Sequence, residues 1–378
     1  MRTEPVPTTL AIDVGATHTR LAIVRDGTIV ARVASPTAAL VGSDGSVVDA
    51  LVAAALELAR DAGGAGVQAV GVGLAAFVDE VGCVLQPRDF GVPGGGGIRD
   101  ALAGAFGVPV AVDNDANLAA LAECRRGVAA GLSTVAVITL GTNIGLGLLV
   151  DGRIHRGAHG AAGEAGLLLV PAQDVAGLNG PTDPNGRTGP ADRRRLVDAG
   201  RLGRARSGGP PGYAHIEELV GGGALAAAAA DEVLAAGARD GGPPAGASGL
   251  ASVVPRHGAP AAASQVPDPG SDGDAATDPL ADRAVEGWAL LIADLCALLD
   301  PELVVLTGRL AEGAAHLLPA LRRRVAELAP LPAEIRLGSV GPDAELLGAD
   351  LSARSALVER AVGHARAGLS AQSRGGVR

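Results

Sequence analysis

The chain contains no lysine: all 31 of its basic residues are arginine. A Walker-type phosphate loop and a Schiff-base mechanism both need a lysine amine, so both are excluded. Cysteine is scarce. Cys83, Cys124 and Cys296 lie far apart, which makes neither a disulfide framework nor a zinc motif. Aromatic residues are 1 % of the chain, and beside the abundant Ala, Gly and Arg that shortage reads as genome composition rather than function. Positive charge is outweighed as well. The net charge is −10, which argues against nucleic acid as the main partner. There is no uninterrupted apolar run of the ~18 residues that would cross a bilayer. The first ten residues lack a basic-then-apolar leader. The expectation is a cytoplasmic protein that binds neither nucleic acid nor membrane.

What is present is an alternation of strands and helices over 378 residues, enough for two domains with a substantial core. "TLAIDV", "RLAIVR" and "TIVARVA" are short β-branched runs split by turn residues and predict a meander. "GSVVDALVAAALELARDAG" predicts a helix with Val48, Leu51, Val52, Ala55 and Leu56 on one face. "VQAVGVGLA" and "VPVAVDND" predict buried strands, the second running straight into the helix "ANLAALAECRRG". From residue 133, "STVAVITLGTNIGLGLLVDGRIHRG" predicts two strands joined by a glycine loop, then a hairpin at Asp151–Gly152. "DRAVEGWALLIADLCALLD", "PELVVLTG" and "AAHLLPALRRRVAEL" predict helix, strand and helix. Residues 240–278, rich in Pro, Gly, Ala and Ser, show no apolar period and predict a flexible insertion. Residues 367–378 predict a disordered tail.

Three stretches carry candidate chemistry. In "LAIDVGATHTRLAIV" a lone carboxylate, Asp13, ends an apolar run beside a turn holding Gly15, Thr17 and Arg20. Such a turn can aim N–H groups and hydroxyls at an anion, and a carboxylate suits Mg²⁺. Arg20 either adds charge near a phosphate or tethers the turn, and an ordinary hairpin fits the same residues. The loop "LGTNIGLG" (140–147) offers Thr142 with the N–H groups around Gly141 and Gly145. Two strand–turn–strand loops in separate halves suggest a nucleotide held between lobes. In "VDNDAN" (112–117) a strand runs into Asn114 and Asp115 as a helix starts. These are favoured capping residues, yet a carboxylate at a strand's C-terminal end can also accept a proton during phosphoryl transfer. Two other patterns carry less. "GVGLAA" (71–76) fits a dinucleotide fingerprint, but "FVDEVGCVL" after it reads as a hairpin turning at Gly82, not a helix. His155 and His159 flank a glycine in a loop without further ligands, which suits a surface role.

The ordered set D-x-G-x-T-x-x-R (Asp13, Gly15, Thr17, Arg20), N-D-A-N (114–117), L-G-T-x-I-G-x-G (140–147), "DGRIHRGAHGAAGEAG" (151–166) and "DPELVVLTGRL" (300–310) resembles the ROK family of sugar kinases and related repressors. The resemblance covers roughly residues 8–235 and 279–366. It implies an α/β, two-lobed actin-like ATPase (ribonuclease H-like) fold with a nucleotide and sugar cleft between the lobes. Residues 8–118 would form the N-terminal lobe, joined by a C-terminal helix at about 345–366, and residues 119–344 the other lobe. It further implies an ATP-dependent kinase acting on a hexose or amino sugar. Asp115 would be the general base and Asp13 would serve the Mg²⁺ of Mg-ATP. Gly15, Thr17 and Arg20 would shape the first phosphate loop, and Gly141, Thr142 and Gly145 the second, with Gly308 by the adenosine. Asn114, Glu164 and Glu217 would bind sugar hydroxyls, in a homodimer.

The departures concern the sugar side. Leu167 stands where family members usually carry histidine, and residues 171–214 lack the cysteines of the family's zinc loop, so no zinc site is expected. Only twelve residues precede Asp13, so no DNA-binding winged helix is expected. The alternative to a kinase is a catalytically weak sugar-binding or sensory protein.

Overall fold

The structure, a computed structural model, describes residues 7–63, 66–86, 90–171, 213–221, 224–225 and 279–375. The expected insertion at 240–278 and the cysteine-free stretch at 172–212 lie outside the described residues. Two units are distinguished. The first comprises Met1–Val137, Leu146–Gly163 and Gly338–Arg378, and the second Ile138–Gly145 and Glu164–Leu337.

In the first unit β1 (Thr9–Val14) is buried at every position, as is β4 (Ala69–Leu74). β4 is apolar throughout and β1 is apolar apart from Thr9 and Asp13, because both lie inside a sheet covered on two faces. The sheet order is β3-β2-β1-β4-β5, with β2 at His18–Arg25, β3 at Thr28–Pro36 and β5 at Val110–Asn114. β1 runs antiparallel to β2 and parallel to β4. One face packs on α1 (Val48–Asp61) and α2 (Gly97–Phe106) through Leu10, Ile12, Leu51, Ala55, Leu58, Ile98 and Leu102. On α1 the buried residues are Leu51, Ala55 and Leu58, while Leu56 is 37 % exposed. The 3.6-residue period from Leu51 reaches 55 and 58, and carries position 56 off the stripe.

The opposite face is built from small residues. Ala11, Ala22 and Leu118 meet Leu346 and Ala349 of α8 (Ala344–Gly375). A Cβ at Gly71 would fall 1.9 Å from the Ala349 carbonyl oxygen, and one at Gly348 would fall 1.9 Å from that of Leu118. Sheet, α8 and α3 (Asp115–Arg126) are thus in backbone-to-backbone contact. α3 therefore belongs wholly to the first unit, and a boundary at residue 118 would cut it. α8 is helical as far as Gly375, where the sequence reading ends the helix near 366. Buried Asp350 fastens α8 through Thr9 Oγ1 at 2.6 Å, Arg126 at 3.0 Å and Arg354 at 2.7 Å.

The second sheet has the order β12-β11-β6-β7-β8. β6 (Val135–Leu140) and β7 (Ile144–Val150) flank the glycine loop. β8 (Arg153–Ile154) returns from β7 through Asp151 and Gly152, whose φ angles of 52° and 71° make the expected tight turn. β11 (Leu303–Thr307) and β12 (Glu334–Leu337) pair in parallel. In the second unit, β9 (Leu169–Pro171) and β10 (Tyr213–His215) form a short antiparallel pair leading into α4 (Ile216–Val220). Trp288 of α5 (Pro279–Leu299) supports α4, donating from Nε1 to the Val220 carbonyl at 3.3 Å. α6 (Arg309–Gly313) and α7 (Leu318–Leu328) follow β11. Among the described residues, no helix is long and apolar enough to cross a membrane.

Candidate active site

In the first unit the strand register sets out one row of side chains. Arg20 on β2 pairs with Asp13 on β1, Asp13 with Gly73 on β4, and Gly73 with Asp113 on β5. Residues in register share a face, so two carboxylates flank one glycine on the face that α3 and α8 cover. Gly73 is small for a reason. A Cβ there would lie 3.0 Å from Leu118 Cδ1 and 3.7 Å from both Asp13 Oδ1 and the Asp115 Cα. The glycine pattern "GVGLAA" thus lets α8 pack at Gly71 and Leu118 of α3 pack at Gly73, between the carboxylates. After it, Gly82 turns a hairpin with φ 77°, as expected.

Asp13 is buried, and burial pushes its carboxyl up to about 7. Arg20 opposes that shift, while the negative charges of Glu345 and Asp115 add to it. Arg20 is spent on the protein. Its Nε donates to Asp13 Oδ2 at 2.9 Å, Nη1 to the Pro342 carbonyl at 2.6 Å and Nη2 to Glu345 at 2.9 Å. Of its two expected roles, the geometry supplies the tether. Gly15 and Thr17 are pinned by a residue that sequence reasoning missed. Thr37, fully buried, donates its N–H to the Thr17 carbonyl at 2.9 Å and its Oγ1 to the Gly15 carbonyl at 2.7 Å.

The start of α3 divides its work between two neighbours. Asn114 is the N-cap: its Oδ1 accepts from the N–H groups of Ala116 and Asn117 at 2.9 and 3.2 Å, and its Nδ2 donates to the Ala76 carbonyl at 3.2 Å. Asp115 is the first helical residue and half-buried. Its carboxylate therefore stands at the helix start, where backbone N–H groups favour negative charge, and its Oδ1 shares the Ala116 N–H with Asn114, at 2.8 Å. Asp113 was missed too; its Oδ2 is ion-paired with Arg156. A pair 43 residues apart leaves no spacing signal in the sequence.

The second unit holds the other candidates. Thr142 is exposed in the loop between β6 and β7, where Gly141 N–H donates to the Asn143 carbonyl at 3.1 Å. Gly308, at φ 90°, would bring a Cβ 2.7 Å from the Leu140 carbonyl oxygen, so only glycine fits beside β6. The turn from Glu164 and the helix bearing Glu217 converge. A Cβ at Gly166 would fall 2.5 Å from Glu217 Oε2 and 3.2 Å from the Ile144 carbonyl oxygen, and one at Gly221 would fall 3.3 Å from that of Thr142. Glu217 thus lies against the loop containing Thr142 and Gly145. Leu167 is 40 % exposed, and its carbonyl accepts from His215 Nδ1 at 2.9 Å. His155 and His159 are both exposed.

Carboxylate oxygen is the donor that suits a divalent cation, and at Asp13 Arg20 takes Oδ2 and leaves Oδ1 to offer one. A model of the ROK family matches residues 9–354 of the chain. The chain is 35 % identical over 116 residues to a glucokinase of Halalkalibacterium halodurans, 29 % of this chain and 33 % of that protein. It is 32 % identical over 165 residues to an N-acetylmannosamine kinase of Vibrio cholerae, 43 % of this chain and 54 % of that protein. The chain thus spans about a third to a half of the length of these curated relatives. Among solved structures, a ROK family glucokinase of Streptomyces griseus in complex with glucose and AMPPNP matches with a TM-score of 0.65. Identity to it is 24 %, over 92 % of this chain and 99 % of that one. The fold is the actin-like ATPase fold, and the chain belongs to the ROK family.

Proposed function

We propose that the chain is an ATP-dependent sugar kinase, transferring the γ-phosphate of Mg-ATP to a hydroxyl of a hexose or amino sugar. The observation that carries this reading is Asp115: a carboxylate at the start of α3, beside the N-cap Asn114 rather than in its place, and separated from Asp13 by a glycine. Asp115 accepts the proton of the attacking hydroxyl. Mg²⁺ held by Asp13 would neutralise phosphate charge. Thr142 and the N–H groups near Gly141 and Gly145 orient the terminal phosphates, Gly15 and Thr17 line the first loop, and Gly308 lies by the adenosine. Glu164 and Glu217 accept from sugar hydroxyls, and Asn114 donates to one through its second Nδ2 hydrogen. The enzyme is cytoplasmic and homodimeric in this reading.

The exposed Leu167 favours one other reading, a sugar binder without turnover, because leucine offers a sugar hydroxyl no hydrogen bond. Coupled ADP release over a panel including glucose and N-acetylmannosamine, with calorimetry beside it, separates the two. Sugar-dependent ADP release supports the kinase. Binding without release supports the sensor, and neither result would reject both readings.

A further inference from the structure

Asp113 is 4 % exposed and meets the groups assigned above through the backbone N–H of Asn114. A buried carboxylate is costly unless it is paired and hydrogen-bonded, and here it is both. Its Oδ1 accepts the Asn114 N–H at 2.8 Å and Asn117 Nδ2 at 3.0 Å. Its Oδ2 pairs with Arg156 Nη2, and Arg156 Nε lies 3.4 Å from Oδ1. One carboxylate thus fixes the peptide entering Asn114, the side chain of Asn117 one turn on, and Arg156. Between the two fixed points lies Asp115.

Arg156 in turn opens a glycine-rich segment that packs through its backbone. From 157 to 163 the segment has glycine at 157, 160 and 163, all with positive φ. Cβ atoms at Gly160 and Gly163 would fall 2.5 and 2.0 Å from the carbonyl oxygens of Val78 and Leu146. The Arg156 carbonyl accepts from the Ala162 N–H at 3.1 Å, closing the segment on itself. The arginine is therefore the charged fastening between this backbone-packed segment and the start of α3. Arg20 holds Asp13 in the same way at the other end of the row.

We infer that the Asp113–Arg156 pair is a positioning device for Asp115, setting the direction in which the proton acceptor leaves β5. The inference rests on the kinase reading for its activity readout and on geometry for the rest. Misplacing a reacting group by about 1 Å can cost about 10²-fold in rate. In the full chain, Arg156→Gln and Asp113→Asn are each expected to lower kcat by about 10- to 100-fold, with KM for ATP within about twofold of wild type. The double variant is expected to be no worse than the poorer single one, because both remove one interaction. Arg156→Lys, which restores the charge without the fork, is expected to recover part of the loss.

Amide exchange over residues 114–117 gives a readout that needs no turnover. Either single variant is expected to speed it by about tenfold or more, through local opening at the start of α3. Singles that lower the melting temperature but leave kcat per folded molecule within about twofold of wild type, or losses that multiply in the double variant, would overturn the inference. So would unchanged amide exchange. If Asp113→Asn fails to fold, the Arg156 variants carry the test, since that side chain is one-third exposed. A wild type that releases no ADP with any sugar rejects the kinase reading, and amide exchange then decides the role of the pair.

Discussion

Asn114 and Asp115 are adjacent, similar in size and equally good at capping a helix, which is why the sequence leaves their roles open. The structure separates them by position: Asn114 accepts the two orphan N–H groups, and Asp115 lies one residue inside the helix. Asp115→Asn therefore leaves the cap at Asn114, keeps the side-chain size and retains an oxygen that can accept the Ala116 N–H. Melting temperature and sugar affinity should stay near wild type, while turnover falls by roughly 10²–10⁴-fold. A kcat within about threefold of wild type would withdraw Asp115 as the base. Other residues of the site were legible only in part. Asp13 is visible as a charge interrupting an apolar run, but its partners Arg20, Glu345 and Gly73 come together through strand register and a helix more than three hundred residues away. Thr37, Asp113 and Arg156 left no signal, because each acts through backbone groups or a partner distant in sequence.

At the scale of elements, apolar alternation and turn residues were enough to place β1 to β8, since each strand is short, β-branched and bounded by glycine or a charge. α2 went unread because "GIRDALAGAF" opens directly from a run of glycines, which hides its start. β9 and β10 went unread because each is three residues long and finds its partner across more than forty residues of chain. The role of the glycines was equally hidden. Gly348 lies inside α8 and Gly104 inside α2, so helix propensity alone predicts that alanine stabilises both by about 1 kcal/mol. The structure reverses that sign at one of them. A Cβ at Gly104 meets nothing within 4 Å, whereas one at Gly348 would fall 1.9 Å from the Leu118 carbonyl oxygen. Gly104→Ala should be neutral or stabilising. Gly348→Ala should destabilise by about 1–3 kcal/mol or more, the usual cost of forcing a packed interface apart. Equal midpoints for the two variants in urea would show that α8 does not press on α3 as described.

For the whole molecule, stability should carry the mark of Asp13. Its carboxyl is buried on β1 between β2 and β4, so its protonation is tied to global folding rather than to a loose surface group. The folded state holds it at about 7 against an ordinary 3.8, so between those values the folded chain binds more protons than the unfolded one. Stability falls with rising pH wherever the native state holds the extra proton. The favourable contribution is thus complete below the unfolded value and is lost as pH rises through about 7. Net negative charge contributes a slope of the same sign, because the chain carries −10 at neutral pH and self-repulsion grows as carboxylates ionise. A single profile cannot separate the two, but a comparison can. Asp13→Asn removes the buried titration and changes the overall charge by only one. In metal-free buffer, the denaturant midpoint of the wild type should fall more steeply from about pH 5 to about pH 8 than that of Asp13→Asn. Parallel profiles would mean that Arg20 keeps Asp13 ionised across the range.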